Sequence, residues 1–222
     1  MAPIKTYLSK THYRNGLMVS IVFISILFII GHIFWNDYGS IAESLVASGN
    51  LVFAKGQWYR DFTSIFIHAD LGHLLSNSYM LFFLVYLNYT YFGPLLFPIL
   101  AVIFSALINH IALWTYHPEI HLIGASGLAY LLGGCWFSLF ILLDRRISLF
   151  RRVFKAFGVT LIIFFPQTFV VDVSYRAHFF GFILGLITGL VYFLVKKKYL
   201  RSFEVYPEEE LPTDDEGSYE PN

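Results

Sequence analysis

The chain has 222 residues, 57% apolar, 19% aromatic and 14% charged, and fifteen acidic side chains balance fifteen Lys and Arg. Soluble domains carry about a quarter charged residues, so this composition, with a mean hydropathy of +0.62, describes a chain whose solvent is a bilayer. Zero net charge gives no footprint for nucleic acid, and the lone Cys135 excludes a disulfide framework and a cysteine metal cluster.

Charges and prolines divide the chain, and a membrane helix needs about 20 mostly apolar residues. Residues 1–16 read as a cytoplasmic N-terminal segment, residues 17–198 as the membrane domain and residues 199–222 as a tail. Leu17 to Trp35 is the first span; "HIFWNDYG" follows rather than the small residues of a cleavage site, so the span is expected to be retained. The outer connection, residues 36–70, contains "SIAESLVASG", read as a short helix with Ser40 and Glu43 as capping box and Gly49 closing its end. Its later part, "WYRDFTSIFIH", mixes aromatic rings with Arg60 and suits the membrane interface.

Leu71 to Pro118 carries no Asp, Glu, Lys or Arg and accommodates two spans parted by a turn at Asn88 to Pro94, "NYTYFGP". Ile120 to Leu143 is the fourth span. Ala156 to Val171 is the fifth, short, interrupted by Pro166 and lengthened by a snorkelling Lys155. Ala177 to Val195 is the sixth. From Glu204 onward the tail carries eight of the fifteen acids and is expected to be disordered and solvated.

Six spans place both termini on one side. Twelve basic residues fall on that side: Lys5, Lys10, Arg14, Arg145, Arg146, Arg151, Arg152, Lys155, Lys196, Lys197, Lys198 and Arg201. Lys55, Arg60 and Arg176 fall on the other, so the positive-inside rule makes both termini cytoplasmic.

Polar groups within the apolar runs are expensive in lipid and usually functional. His32, near Trp35, reads as an interfacial side chain. His110, His117 and His121 cluster near one outer turn; without an H-E-x-x-H or a matching carboxylate they read as a wet loop closed by Pro118 rather than a metal centre. His73 and Asn77, spaced i and i+4, share a helix face and serve equally as interhelical glue or as two donors aimed at one point. Gly124, Ser126 and Gly127, and the doubled GxxxG of Gly181, Gly185 and Gly189, are small enough to be close-packing positions and nothing more. "GASGL" is also not the GxSxG elbow of soluble hydrolases, since Leu128 replaces the last glycine.

Depth argues for more than packing. Ser126 to Asp144 and His178 to Lys196 are each 18 residues, about 27 Å at ~1.5 Å per residue. Ser126 and His178 thus lie near the outer edge of a hydrocarbon core roughly 30 Å thick, and His73 and Asn77 enter that layer from the same side. A serine hydroxyl needs a base, and neutral histidine is the usual one. Every acid is expected in a loop or the tail, and Asp172 lies on a different helix face from His178, so the pattern gives a Ser126–His178 dyad with no third carboxylate. Tyr130, one turn after Ser126, is placed to stack on the imidazole, and the Ser126 N–H, Asn77 and His73 are candidate oxyanion donors.

"GASG" around Ser126, "AHFFG" with His178 and Gly181, and "HLLSN" with His73 and Asn77 resemble, in order, the GxSG, AHxxG and HxxxN motifs of rhomboid intramembrane serine proteases. Arg60 in "QWYRDFT" is similar to the family's first-loop WR element, with Tyr59 inserted after Trp58. The resemblance implies an all-α, six-span bundle and a peptidase without cofactor or metal. Its partners would be single-span membrane-protein substrates in the lipid bilayer, cut in or near their helices at a site opening to the non-cytoplasmic side of the cell membrane. A non-catalytic rhomboid-like binder of membrane clients is the alternative; a transporter would need a polar path across the bilayer, and the polar residues stop in its outer third.

Overall fold

The computed structural model describes residues 1–37, 41–169 and 173–207 and is mostly helical. Its elements in chain order are α1 (Gly16–Asn36), α2 (Ala42–Leu45), β1 (Ala47–Ser48), α3 (Arg60–Thr63), α4 (Leu71–Phe92), α5 (Ala101–Thr115), β2 (His121–Leu122), α6 (Ser126–Leu143), α7 (Leu149–Phe164) and α8 (Tyr175–Arg201). Among the described residues, four helices are long and apolar enough to cross a membrane: Gly16–Asn36, Leu95–Thr115, Ser126–Leu143 and Tyr175–Arg201. Two more long helices, α4 and α7, complete the bundle. The first is diluted by His73, Ser76, Asn77, Ser78 and Asn88, and the second carries Arg151, Arg152 and Lys155.

The molecule is apolar outside as well as inside. Leu17, Met18, Ile21, Val22 and Ile29 of α1, and Phe150, Phe154, Leu161 and Ile162 of α7, are all exposed. A patch of that extent suits a lipid surround. At the centre stands α6, packed by α4, α5, α7 and α8. Glycines make the α6–α8 seam: a Cβ on Gly181 would lie 2.6 Å from the Gly127 carbonyl oxygen, and one on Gly185 or Gly189 would collide with the Leu131 carbonyl or the Ser138 hydroxyl. Four-residue spacing on both helices keeps these approaches on one line. By contrast α7 buries only Ala156 and Ile163.

Several boundaries differ from the sequence expectation. The α4 helix runs on to Phe92, so the turn expected within Asn88 to Pro94 falls at the end of that stretch; the Asn88 amide donates to the carbonyls of Leu84 and Leu132 and is fully buried. The turn comes at Gly93 (φ 77°), and Phe97 interrupts the next helix with extended backbone before α5 begins. Polar residues therefore do reach beyond the outer third of the bundle, as interhelical hydrogen bonding. The fourth helix starts at Ser126 rather than Ile120, since His121 and Leu122 pair as a strand with Ser48 and Ala47. The α7 helix starts seven residues before Ala156, and α8 runs on to Arg201.

The outer connection is more ordered than a short helix. Ala42 N–H donates to Asp37, while the predicted cap residue Ser40 lies outside the described residues. Gly49 does not close a helix: it has φ −54° and lies against Pro118, whose Cα would be 3.0 Å from an added Cβ. Arg60, 7% exposed, donates to the carbonyls of Glu43 (2.5 Å) and Val46 (2.8 Å) and to Gln57 (2.6 Å). Its partners are loop carbonyls, so it braces the connection rather than meeting Ser126. Tyr59 adds an exposed ring over the guanidinium without displacing it.

Among the described residues two carboxylates are buried, Asp61 and Asp144, contrary to the expectation that the acids, all in loops or the tail, leave no buried carboxylate. Asp144 pairs with Arg146 at 2.6 Å, and Asp61 pairs with His110 Nδ1 at 2.7 Å, the carboxylate partner that this histidine lacked in sequence. Burial pushes the Asp61 carboxyl above the usual carboxylate range, against the lowering effect of His110. A raised folded pKa means that stability from this group is full below the ordinary value of 3.8 and is lost as pH rises through the raised one. Asp61→Asn is therefore expected to melt no lower than wild type at pH 7, the advantage disappearing in acid. A loss of about 3 kcal/mol or more at pH 7, the signature of a broken buried pair, would refute this.

At the opposite end the segment before α1 meets the segment after α8. Ile4 N–H donates to the Val205 carbonyl at 2.8 Å, Lys5 and Val205 form a β-bridge, and Glu204 accepts from Arg145 (3.1 Å) and Arg201 (2.6 Å). Tyr7 is buried there, stacked on His12 at 3.8 Å and edge-on to Phe203 at 5.1 Å. The expected disordered tail is thus anchored through Val205; residues 208–222, most of that expectation, lie outside the described residues.

Candidate active site

Three helix starts converge on Ser126. Asp70 caps α4 by accepting from the His73 N–H at 2.8 Å, fixing His73 in the first turn. Ser174 caps α8 through the Ala177 N–H at 3.2 Å, fixing His178 one turn in. Ser126 itself opens α6, where backbone N–H groups lack helical acceptors. The segment before it is pinned: Gly124 N–H donates to the Ser64 carbonyl at 2.9 Å and Ala125 N–H to His68 Nε2 at 3.3 Å. Gly124 has φ +113°, a conformation left to glycine, and a Cβ there would lie 2.9 Å from His73 Nε2 and 3.6 Å from Asn77 Nδ2. The two α4 side chains thus face the backbone two residues ahead of the serine.

Ser126 and His178 are both buried, at 6% and 5% exposure. Tyr130, on the face of α6 that carries Ser126, stacks on His178 with centroids 4.2 Å apart and planes 7° from parallel. Phe164 of α7 stacks on the other face of Tyr130, also at 4.2 Å. The imidazole is therefore held against Tyr130, one turn along α6 from Ser126, by an aromatic stack, with Gly181 seated on Gly127 just below. His178 Nε2 has no hydrogen-bond partner, nor do His73 Nε2 and both amide atoms of Asn77, all buried. An unpaired buried polar atom costs about 1–3 kcal/mol, and such groups at one place mark a site rather than a core.

Two cavities border these residues. A cavity of about 440 Å³ is lined by Asp70, His73, Ser126, Leu122, Tyr116 and Ser174. A second, of about 510 Å³, is lined by His178, Tyr130, Phe164, Gln167 and Tyr175, and Val173 borders both.

A rhomboid domain model matches residues 55–195, from the outer connection to near the end of α8. The chain belongs to the rhomboid family. This rhomboid is also 29% identical over 170 residues to a Bacillus subtilis (strain 168) protein described as "Putative rhomboid protease YdcA", covering 75% of this chain and 78% of that one.

The sequence reading placed Ser126, His178, His73, Asn77, Tyr130, Gly124, Gly127 and Gly181 together, and the fold gathers all eight around the start of α6. Arg60 stands apart, in the outer connection. His32 is exposed on α1, and among the described residues no three His, Cys, Asp or Glu side chains are grouped to hold a metal. Asp172 lies outside the described residues.

Three neighbours went unnoticed in sequence. His68 is fully buried, supports the Ala125 N–H and meets the His73 ring edge-on at 5.1 Å. Burial pushes its pKa down to about 3, so it stays neutral and can accept at Nε2. Phe164 completes the stack, and Gln167 accepts from the Ser76 hydroxyl at 3.2 Å, tying the end of α7 to α4. Only His68 left a signal, a second histidine five residues before His73; Phe164 and Gln167 depend on where α7 docks.

Proposed function

We propose that this rhomboid is an intramembrane serine endopeptidase acting on the membrane helices of single-span proteins. The observation that carries the reading is the parallel Tyr130–His178 stack, which supports a neutral imidazole beside the face of α6 that begins with Ser126. His178 Nε2 takes the Ser126 proton as Oγ forms a bond to the scissile carbonyl carbon, and the carbonyl π electrons move to oxygen. The Ser126 N–H, the Asn77 amide and His73 Nε2 donate to that oxyanion. Collapse breaks the C–N bond, His178 returns the proton to the departing amine, and water resolves the acyl-enzyme by the same steps. The missing Ser126–His178 hydrogen bond fits a resting enzyme, in which catalytic contacts tighten on substrate binding.

A helix's peptide bonds are hydrogen bonded and shielded, so the substrate segment must unwind to reach Ser126. The six-span reading, with both termini cytoplasmic, puts the dyad near the non-cytoplasmic face of the cell membrane, where the two cavities supply water. The chemistry uses no cofactor and no metal.

A fluorophosphonate probe is expected to modify wild type on Ser126, located by peptide mass spectrometry, and to leave Ser126→Ala unmodified. Equal labelling of the variant would sink the assignment, and an unreactive protein that still retains membrane clients would favour the binder. Tyr130→Phe preserves the stack and should keep kcat within about threefold, whereas Tyr130→Ala frees the imidazole and should lower kcat by about 10²-fold, within the usual worth of a positioned base.

A further inference from the structure

On the far side of the bundle from Ser126, α8 and the interrupted start of α5 enclose an apolar groove of about 350 Å³. Its walls are Leu95, Leu100 and Phe104 on one side and Leu184, Ile187 and Val191 on the other, and Lys196 closes one end. Phe97 breaks the helical path with extended backbone between Leu95 and Leu100, the two residues that line the groove just ahead of α5. Polar groups on its walls are already engaged: Thr188 donates to Leu184 and Tyr192 to the Phe92 carbonyl. Among the described residues Lys196 makes no hydrogen bond or ion pair, and Lys197 and Lys198 follow it directly.

We infer that this groove binds one anionic phospholipid, with an acyl chain between α5 and α8 and the phosphate at Lys196. Length and charge both point to that occupant. From Leu184 to Lys196 is 12 residues, about 18 Å of helix at ~1.5 Å per residue, close to one leaflet of a hydrocarbon core roughly 30 Å thick. A single acyl chain brings no polar atom into walls whose polar groups, Thr188 and Tyr192, are already engaged. The cation sits at the one end where a headgroup must lie, and basic residues between membrane helices select anionic headgroups. The inference rests on the chain being embedded in a bilayer and is independent of the peptidase reading.

The test is native mass spectrometry of the full chain, released from mild detergent after equilibration with equal amounts of phosphatidylglycerol and phosphatidylcholine. One phosphatidylglycerol should be retained per chain, at least ~10-fold over phosphatidylcholine. Lys196→Glu and Val191→Trp, the second filling the groove from an exposed position, should each lower that retention at least ~10-fold, while Lys197→Glu changes it less than ~3-fold. Circular dichroism checks that all three variants keep their helices. Equal retention of the two lipids, equal loss in Lys197→Glu, or full retention in Val191→Trp would overturn the proposal. So would a lipid-free dimer that Val191→Trp dissociates, because a second copy would then fill the groove.

Discussion

Ser126→Ala, reconstituted with a single-span substrate, is expected to lose at least ~10⁴-fold in turnover while melting at the wild-type temperature. Removing either partner of a nucleophile–base pair disables both, so His178→Ala should fall to the same floor and the double variant should be no slower than either single one. A double-variant loss equal to the sum of the two single losses would mean that Ser126 and His178 do not act together. The expected stability follows from the site: Ser126 Oγ makes no hydrogen bond that helps hold α6, and alanine is a good first-turn residue. Turnover measured in detergent and in vesicles separates a chemical defect from one in substrate entry.

Gly185→Val should have the opposite signature. The Gly185 Cα sits against the Leu131 carbonyl, and a Cβ there would also lie 3.0 Å from Cys135 N and from Gly134 Cα. All three obstacles are backbone, so no rotamer change relieves them and α8 must leave α6. We expect a loss of about 3 kcal/mol or more, the upper end for overpacking, with turnover falling because the Tyr130–His178 stack spans that same seam. Gly158 of α7 is the internal control: nothing lies within 4 Å of its would-be Cβ, so Gly158→Ala should be neutral or gain up to about 1 kcal/mol from helix propensity. If both substitutions are silent, the glycine seam does not hold the bundle together.

Gly185 shows what the sequence could reveal. Spacing alone marked Gly181, Gly185 and Gly189 as one helix face, because a helix repeats on itself without reference to the rest of the chain. Depth counting likewise put Ser126, His178, His73 and Asn77 in one layer. It could not see that His110 would find Asp61, 49 residues away, or that Phe164 would close the aromatic stack, since both pairings depend on how separate elements dock. Boundaries failed where a side chain changed the local balance. Asn88 opened the stretch read as a turn, yet its amide reaches two carbonyls and the helix runs on to Phe92, the turn coming at Gly93. The strand pair of Ala47–Ser48 with His121–Leu122 delayed the start of α6 and so put Ser126 at a helix terminus rather than six residues inside one. That position leaves its N–H without a helical acceptor, the condition that the sequence reading of this N–H as a candidate oxyanion donor requires.

The knot of Lys5, Tyr7, Glu204 and Val205 turns an open chain into something close to a ring. A pull on either end meets that rivet before it meets a transmembrane helix, so the load spreads over α1 and α8 together. That load bypasses α7, which joins the bundle instead through Phe164 on Tyr130 and through Gln167, just past its end, on Ser76.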